Sequence, residues 1–381
     1  MMNKDLPGVC EYMKAIVFPN IPDEFTVAEQ FRHGLADDEI RRAIAAFREF
    51  LYRLYDYLAE RKDRIDVETG RDFNPDPCKV SVYMNYMGPI PVCFPVINDM
   101  AVILFTIGCY GKLEKKNKLT VTGESLLAPL SKKNEAHNSF FAITKERKQE
   151  LFGILSDLGF VFESSDFLKT FTVRHDDTHL LFGLKLIAEA QANKKPTDYF
   201  NLKSVFMRCD FYPLSSKLVK IKDLTFNLFL KPHPPEIREW IKNIDGLLTG
   251  SGCSITYDIN DYSVGVVFTY IRKKTDQKVC KIYMGIEGCL TAPYGHHFKG
   301  EDSILNYLTD TMLDTMSRSR YKCTGCASGN PDHCGHGGGF SFSYRGENHI
   351  QCRNQGFCFP IGNEAERGLL ENWIGKELAR S

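Results

Sequence analysis

The sequence has no excess of charge of either sign and no hydrophobic run long enough to span a membrane. Its 381 residues include 48 lysines and arginines and 48 aspartates and glutamates, so the formal net charge is zero. This balance argues against a polyanion binder driven by overall charge, although it is compatible with a local basic patch. The longest largely apolar run extends only from Met100 to Tyr110, whereas a membrane span needs about 20 residues. We therefore expect no membrane partner.

The sequence also lacks the short motifs of common nucleotide-binding and hydrolytic enzymes. It contains no P-loop, no G-x-G-x-x-G, no G-x-S-x-G and no H-E-x-x-H. The glycine-rich stretch GLLTGSG at 246–252 follows a predicted helix and precedes a predicted strand, which reverses the order of a phosphate-binding loop. We interpret it as a helix C-cap and turn. The N-terminal stretch MMNKDLPGVCEYMK has no apolar segment typical of a secretory signal, so we expect a cytoplasmic protein.

The composition is that of an ordinary globular protein, with 43% hydrophobic and 25% charged residues. Helical and strand patterns follow one another and predict an α+β fold, with antiparallel sheet modules and a small Cys-rich, metal-stapled C-terminal subdomain. The predicted parts are an N-terminal helical region at 1–64, an α+β module at 79–230, a helix plus three-stranded antiparallel module at 231–300, and a Cys-rich zinc-binding subdomain flanked by two helices at 301–381.

The clearest helix is predicted from Asp37 to about Arg61. Asp37 and Asp38 are expected to supply the N-cap and favourable charge in the first turn. The apolar stripe has a heptad-like spacing, which is also that of a dimer seam. Over three heptads, however, we favour packing of the stripe within its own domain. The stripe consists of Ile40, Ile44, Phe47, Leu51, Leu54 and Leu58.

The other elements are predicted from hydrophobic period, turn residues and caps. Residues 112–118 (KLEKKNK) are expected to be an exposed basic turn, and the apolar run at 100–110 fits a strand or a buried helix. The predicted helices are 144–158, 178–191, 235–248, 303–316 and, capped by Asn363, 364–378. The predicted strands are 79–87, two within 160–175, 204–212, a meander of 254–258, 263–271 and 278–285, and a hairpin of 339–344 and 349–353.

The thirteen cysteines fall into two groups. Eight are scattered, mostly within apolar stretches, and are predicted to be buried thiols: Cys10, Cys78, Cys93, Cys109, Cys209, Cys253, Cys280 and Cys289. The other five lie close together: Cys323, Cys326, Cys334, Cys352 and Cys358. In an intracellular chain, one dense cluster of this kind indicates metal binding rather than disulfides.

The Cys-rich segment, residues 323–358, begins with the C-x-x-C pair Cys323 and Cys326. This spacing is typical of structural zinc sites, because one tight turn directs both thiolates to one ion. Tetrahedral zinc needs four ligands, and we predict Cys334 and Cys352 as the third and fourth. The alternatives for these last two are Cys358, His333 and His336. An Fe–S cluster also binds four thiolates, and the spacing does not exclude it.

We favour zinc over an Fe–S cluster and a structural role over a catalytic one. A catalytic zinc has three protein ligands and an open position, whereas an excess of cysteines favours a closed site. The short elements nearby are also expected to need a metal staple, because they are too small to build a core alone. The segment resembles zinc ribbons and zinc knuckles in general. This resemblance implies a metal site and no particular function.

Three other features of the sequence are candidate sites. His296 and His297 lie in a predicted loop and would be the first candidates in a metal-dependent enzyme, although a plain polar loop is favoured. His175 and His179 have the spacing of a helical metal pair, but the expected N-cap at Asp176 or Asp177 would leave His175 outside the helix. Basic residues before the C-x-x-C and aromatic residues of the hairpin give weak support to a nucleic-acid partner. We favour those aromatic residues as the small core around the ion.

These observations favour a non-enzymatic binding or regulatory protein. Its structural zinc would organise a surface for a protein or small-molecule partner. The alternatives are a metal-dependent enzyme that uses the Cys-rich segment or His296 and His297, and an Fe–S redox or sensor protein. The sequence determines neither the ligand nor the oligomeric state.

Overall fold

The computed structural model describes residues 8–23, 25–62, 71–72, 92–93, 95–115, 117–122, 140, 143–166, 170–194, 206–215, 222–260, 265–286, 288–293, 307–317, 339–352, 357 and 359–379. The helices are α1 (Val9–Ala15), α2 (Asp37–Glu60), α3 (Pro95–Tyr110), α4 (Lys145–Asp157), α5 (Leu180–Lys194), α6 (Lys222–Leu230), α7 (Pro235–Gly250), α8 (Asp310–Ser317) and α9 (Glu364–Ala379). Short 3₁₀ turns lie at Glu29–Phe31, Phe206–Arg208 and Tyr212–Leu214.

The strands are β1 (Arg71–Asp72), β2 (Val92–Cys93), β3 (Lys112–Lys115), β4 (Lys118–Thr122), β5 (Val161–Asp166), β6 (Thr170–Arg174), β7 (Cys253–Asn260), β8 (Gly265–Arg272), β9 (Gln277–Gly285), β10 (Gly288–Pro293), β11 (Gly339–Tyr344), β12 (Glu347–Cys352) and β13 (Phe359–Pro360). They form sheets in the orders β3-β4-β6-β5, β13-β10-β9-β8-β7, β1-β2 and β11-β12. All of these pairings are antiparallel.

Helices combined with antiparallel sheets confirm the α+β class. The division of the chain into four parts stays a prediction. The described residues show no metal-stapled subdomain, because residues 318–338, which include most of its predicted ligands, lie outside them. Across the residues that are described, no helix is long and apolar enough to cross a membrane.

Helix α2 buries the apolar stripe that the sequence predicted. Every stripe residue, from Ile40 to Leu58, is at most 3% exposed, and α2 packs against α5. The stripe is therefore covered by the protein's own chain, as favoured over a dimer seam. The predicted N-cap is wrong, because Ala36 is the N-cap residue and makes no side-chain cap. Asp37 and Asp38 lie in the first helical turn instead, where their charge still favours the helix dipole.

Helix α5 packs against both α2 and α3, and a glycine permits each close approach. A Cβ atom on Gly183 of α5 would lie 1.9 Å from the carbonyl oxygen of Ala43 on α2. A Cβ atom on Gly108 of α3 would lie 2.7 Å from the Cβ atom of Ala188 on α5. The apolar run at 100–110 is therefore a helix. It is buried almost completely, which explains why its period could not distinguish helix from strand.

The four-stranded sheet contains a hairpin that the sequence analysis did not predict, because its residues are rich in lysine. Residues 112–118 were expected to be an exposed turn, yet they form β3 and the start of β4, with Leu113 opposite Leu119. Leu119 and Val121 are fully buried, so the alternating apolar residues outweigh the surrounding lysines. The predicted strands within 160–175 are confirmed as β5 and β6. The predicted helix before them is confirmed as α4, whose Thr144 Oγ1 accepts a hydrogen bond of 3.2 Å from the amide of Arg147.

The predicted strand at 204–212 is wrong where the structure describes it. Residues 206–208 and 212–214 form 3₁₀ turns, and Cys209 between them has a φ of 54°. A left-handed residue interrupts the extended backbone that a strand needs. The apolar pattern at this position comes from complete burial and not from pairing in a sheet.

The five-stranded sheet extends the predicted meander. The three expected strands are confirmed as β7, β8 and β9, and the preceding helix as α7. The sequence missed α6, β10 and β13. The last of these pairs with β10 through Phe359 opposite Thr291. Gly252 has a φ of 83° directly after α7, as expected for the helix C-cap and turn.

Helix α9 packs against the same sheet, at β9 and β10. Its predicted cap is confirmed, because Asn363 Oδ1 accepts a 2.9 Å hydrogen bond from the amide of Ala365. Trp373 is fully buried and lies 5.7 Å, between ring centroids, from Phe359 of β13. Helix α8 begins at Asp310, later than the predicted start at 303. The last helix and strand thus belong to the apolar core that includes the five-stranded sheet.

The predicted thiol environments are confirmed where they can be described. Five scattered cysteines are buried and form no disulfide within the described part of the chain: Cys10, Cys209, Cys253, Cys280 and Cys289. Cys109 is partly buried, and burial raises the pKa of its thiol to about 12. Cys78 and the side chain of Cys93 lie outside the described residues.

Candidate functional site

Most of the predicted metal ligands lie outside the described residues: Cys323, Cys326, His333, Cys334, His336 and Cys358. Cys352 is described through its backbone as the last residue of β12. His296 and His297 also lie outside the described ranges. Where side chains are described, no group of three or more His, Cys, Asp or Glu residues could hold a metal ion. The metal site therefore stays a prediction.

The hairpin β11–β12 divides the Cys-rich segment and brings its two halves together. Tyr344 is opposite Glu347 and Gly339 is opposite Cys352, so the two-residue turn is Arg345-Gly346. Both turn residues have positive φ, 51° and 81°, as the type I′ turn of a short hairpin requires. The hairpin is confirmed, although the predicted turn was two residues longer. Its open end carries Gly339 and Cys352, the points where the two halves of the segment enter and leave.

The aromatic residues of this region form a small core. Phe340 lies 5.8 Å from Phe357 between ring centroids, and both are at most 4% exposed. Gln351 is also buried, and its Nε2 donates a 2.8 Å hydrogen bond to the carbonyl of Met316 at the end of α8. Phe340 and Phe357 are therefore packed inside the protein, whereas the ion around which this core was predicted stays a prediction.

The histidine pair at 175 and 179 does not form a metal site. His175 precedes α5, and its Nδ1 accepts a 3.0 Å hydrogen bond from the amide of Asp177. Its Nε2 lies 3.3 Å from the carbonyl oxygen of Leu158. The Oδ1 atom of Asp177 in turn accepts a 2.9 Å hydrogen bond from the amide of His179. The expected position of His175 outside the helix is confirmed.

A second candidate site centres on Arg208, which the sequence analysis did not single out. Its side chain is fully buried, and its Cζ atom lies 4.7 Å from the ring centroid of Phe18 and 4.5 Å from that of Phe229. Among the described residues, Nε, Nη1 and Nη2 have no hydrogen-bond partner. An unsatisfied buried polar group costs about 1–3 kcal/mol, and a charged one costs more. Such a cost calls for an explanation.

The backbone around Arg208 is held in an uncommon conformation. Cys209 is left-handed, with a φ of 54°, which is sparsely populated for residues other than glycine. The preceding turn is fixed to α2, because the Tyr55 hydroxyl donates a 2.6 Å hydrogen bond to the carbonyl of Met207. Asp210 follows, and its Oδ1 accepts a 3.1 Å hydrogen bond from the amide of Tyr212. Strain and anchoring together position Arg208 and Asp210 inside the core.

Three further polar residues complete what we call the buried arginine cluster, defined as Arg208, Asp210, Tyr12, His233 and Tyr257. Burial lowers the pKa of Arg208 to about 10, while Asp210, Tyr12 and Tyr257 act in the opposite direction. The rings of Tyr12 and His233 make an edge contact with centroids 6.2 Å apart. Burial lowers the pKa of His233 to about 4, so its imidazole is neutral at physiological pH.

Helix α6 and its continuation supply one side of this cluster. Thr225, Phe229 and His233 recur every four residues and so face one direction along the helix and the turn after it. Burial raises the pKa of Tyr257, with a further contribution from Asp210, whereas Thr225 and Arg208 lower it. Tyr257 is partly exposed and is therefore the member of the cluster that solvent reaches.

The opposite face of α6 borders an open groove with a volume of about 340 Å³. Its cations, Lys231, Arg238 and Lys242, define what we call the basic groove, and Glu239 also lines it. The groove has three positive charges and one negative charge on a partly exposed surface. Such charges are well solvated and bind anions weakly.

The sequence offers one weak signal for the buried arginine cluster. Arg208 and Asp210 are charged residues within the otherwise apolar stretch Phe206–Tyr212. The same stretch also fits the strand that the sequence predicts at 204–212. Only the fold shows that both side chains are inside.

No protein-family model, no curated protein and no solved structure matches this chain. The residues themselves therefore carry the functional argument.

Proposed function

We propose that this chain is a non-enzymatic binding or interaction protein whose Cys-rich segment binds a structural zinc ion. The supporting observation is the register of the hairpin, which places Gly339 opposite Cys352. Opposite residues of antiparallel strands have Cα atoms about 4.5–5.5 Å apart. Cys334 and His336 precede Gly339 by only a few residues, within covalent reach of Cys352.

The same hairpin gives a reason for Cys358 to compete as a ligand. Phe357 packs on Phe340, the residue after Gly339. The chain that leaves Cys352 therefore returns to the open end of the hairpin before Cys358. Thiolate and imidazole ligands in a tetrahedral set favour zinc among the common divalent ions. Under this proposal the ligands are Cys323, Cys326, Cys334 and Cys352, with Cys358, His333 and His336 as the alternatives.

A partner surface would lie on the outer face of the hairpin. The inner face buries Phe340 and Phe342, whereas Ile350 is 45% exposed on the other face, opposite Ser341. A bound zinc ion would fix the segment that enters and leaves this hairpin. A protein or small-molecule partner would then bind a surface that is already ordered. Its binding would cost less conformational entropy than binding to a segment that becomes ordered only in the complex.

The test is the metal content of anaerobically purified protein, measured by elemental mass spectrometry together with a visible spectrum. The test variant is Cys323→Ser/Cys326→Ser. The matched control is Cys109→Ser/Cys253→Ser, which removes two thiols outside the Cys-rich segment. We expect one colourless zinc ion per chain in the wild type and the control, and little zinc in the test variant.

Two results would contradict the proposal. Iron with visible charge-transfer absorption would indicate an Fe–S cluster instead. Wild-type protein without metal, or a test variant that retains its zinc, would remove the basis for a site in this segment.

A further inference from the structure

The Arg208 guanidinium is the strongest sign of a binding site that does not involve the Cys-rich segment. It carries five N–H donors and stays charged at physiological pH. Buried arginines are therefore normally paired with carboxylates or carbonyl oxygens. In the described part of the chain, none of the three Arg208 nitrogens meets an acceptor. An acceptor supplied by a ligand would satisfy them.

We propose that Arg208 anchors a buried site for a small oxyanion, the carboxylate or phosphate group of a ligand. The planar guanidinium fork matches two oxygens of such a group in bidentate geometry. The rings of Phe18 and Phe229 contact its central carbon and limit its orientation. The Arg208 backbone is also fixed, because its carbonyl accepts a 2.8 Å hydrogen bond from the amide of Phe18.

His233 supplies a second group suited to an oxyanion. Its side chain is 4% exposed, and no described residue forms a hydrogen bond with its Nε2. A neutral imidazole can carry its proton on Nε2 and donate it to an oxygen. Its ring contacts Tyr12, whose hydroxyl is near enough to Arg208 to affect its charge. The cluster thus offers donors from the 206–208 turn and from the turn after α6.

Asp210 sets a limit on the charge of the ligand. Its carboxylate lies near both Arg208 and Tyr257 and influences the pKa of each. Its negative charge offsets part of the positive potential at Arg208. A single carboxylate or phosphate group therefore fits the cluster better than a polyanion. Tyr257 of the cluster is partly exposed.

The competing location for an anion is the basic groove on the other face of α6. Its cations are exposed or partly exposed, so its interactions would be weak and strongly salt-dependent. Arg238 of this groove provides a matched control for Arg208. Both are arginines, and Arg238 is partly exposed where it lines the groove. Substitution of each by Met removes the charge and keeps an unbranched side chain.

The experiment measures the thermal stability of the full chain with inorganic phosphate, with acetate and with chloride at matched ionic strength. We expect phosphate or acetate, at about a hundred times its Kd, to raise the wild-type melting temperature by about 3 °C or more over chloride. Arg238→Met is expected to show the same rise. Arg208→Met is expected to lose the rise, which is measured against the same variant in chloride and therefore does not depend on the stability of the variant without ligand.

The proposal is wrong if neither anion exceeds chloride, if Arg208→Met keeps the rise, or if Arg238→Met loses it. Should Arg208→Met fail to fold, nuclear magnetic resonance of the wild type replaces it. The Nε–H signal that disappears in Arg208→Lys must then shift on addition of phosphate or acetate, and an unchanged signal rejects the site. The cluster shares no residue with the Cys-rich segment. Failure here therefore leaves the zinc proposal unaffected.

Discussion

His233 shows how burial of one titratable residue affects the stability of the protein. The imidazole is almost completely buried in the turn between α6 and α7. The backbone amide of His233 donates a 3.1 Å hydrogen bond to the carbonyl of Leu230 in this turn. Burial lowers its pKa from an ordinary value of 6.5 to about 4. The folded protein therefore resists protonation at this position more than the unfolded chain does.

Stability is expected to fall as the pH drops from about 6.5 to about 4. In this window the unfolded chain binds a proton that the folded protein does not, so protonation favours unfolding. The shift corresponds to about 3 kcal/mol, present in full above the upper value and lost below the lower one. Urea unfolding of wild type and His233→Leu at several pH values measures it. The variant should show a flatter profile, and identical profiles would refute the assignment.

At the scale of elements, the crossing of α2 and α5 depends on the absence of a side chain at Gly183. Not every glycine in a helix is constrained in this way. Gly153 of α4 is exposed and has nothing within 4 Å of the position of an added Cβ atom. Alanine substitutions at Gly183 and Gly153 therefore distinguish the effect of close packing from the effect of helix propensity.

Gly183→Ala is expected to destabilise the protein by about 2 kcal/mol or more, because the new methyl group would collide with the backbone of Ala43 and force α5 away from α2. Gly153→Ala should stabilise it by about 0.5–1 kcal/mol, because alanine has the higher helix propensity. Chemical denaturation of both variants gives the comparison. Equal effects of the two changes would contradict the close crossing.

Amphipathic and capped elements could be predicted from the sequence, and elements defined by their neighbours could not. The stripe of α2, the Thr144 cap of α4 and the meander β7–β9 carry local signals. Strands β3 and β4 were missed because their apolar pattern consists only of Leu113, Leu119 and Val121, and the residues around them are mostly lysines and other polar residues. Helix α6 and strand β13 were missed because they are short and are stabilised by packing against β9 and β10.

At the scale of the whole molecule, residues far apart in sequence share one sheet. Strand β13 and helix α9 cover β10, so the region after the Cys-rich segment is joined to the sheet that precedes it. The short elements around the Cys-rich segment were expected to need a metal ion for stability because they are small. In the structure Phe359, Leu370, Trp373 and Ile374 are at most 1% exposed. Helix α9 is therefore stabilised by apolar packing.

Removal of metal is expected to leave α9 folded. The chain has two tryptophans, so Trp373 becomes the sole fluorescent reporter in Trp240→Phe. After treatment with a strong chelator, its emission maximum should stay at the wavelength of a buried indole, because Phe359 and the sheet still cover it. Trp373→Ala should destabilise the protein by about 3–5 kcal/mol. A red shift on chelation would mean that the metal also holds α9 in place.

The two candidate sites differ in what a sequence can reveal. Cysteine spacing can indicate a metal site from the sequence alone, because the type of ligand and the number of residues between ligands are local properties. The hairpin adds the register that brings Cys352 to Gly339. The members of the buried arginine cluster come from α1, residues 206–210, the turn after α6 and β7. Its one local signal, two charged residues in an apolar stretch, does not reveal that both side chains are buried.

The position of β13 also bears on how the protein forms during translation. Strand β10 is complete once residue 293 has been made, but its partner begins at Phe359. Until then the outer edge of β10 has unpaired amide and carbonyl groups, and such edges recruit other strands. Nascent chains paused between these points would be the ones most prone to associate with one another or to engage a chaperone.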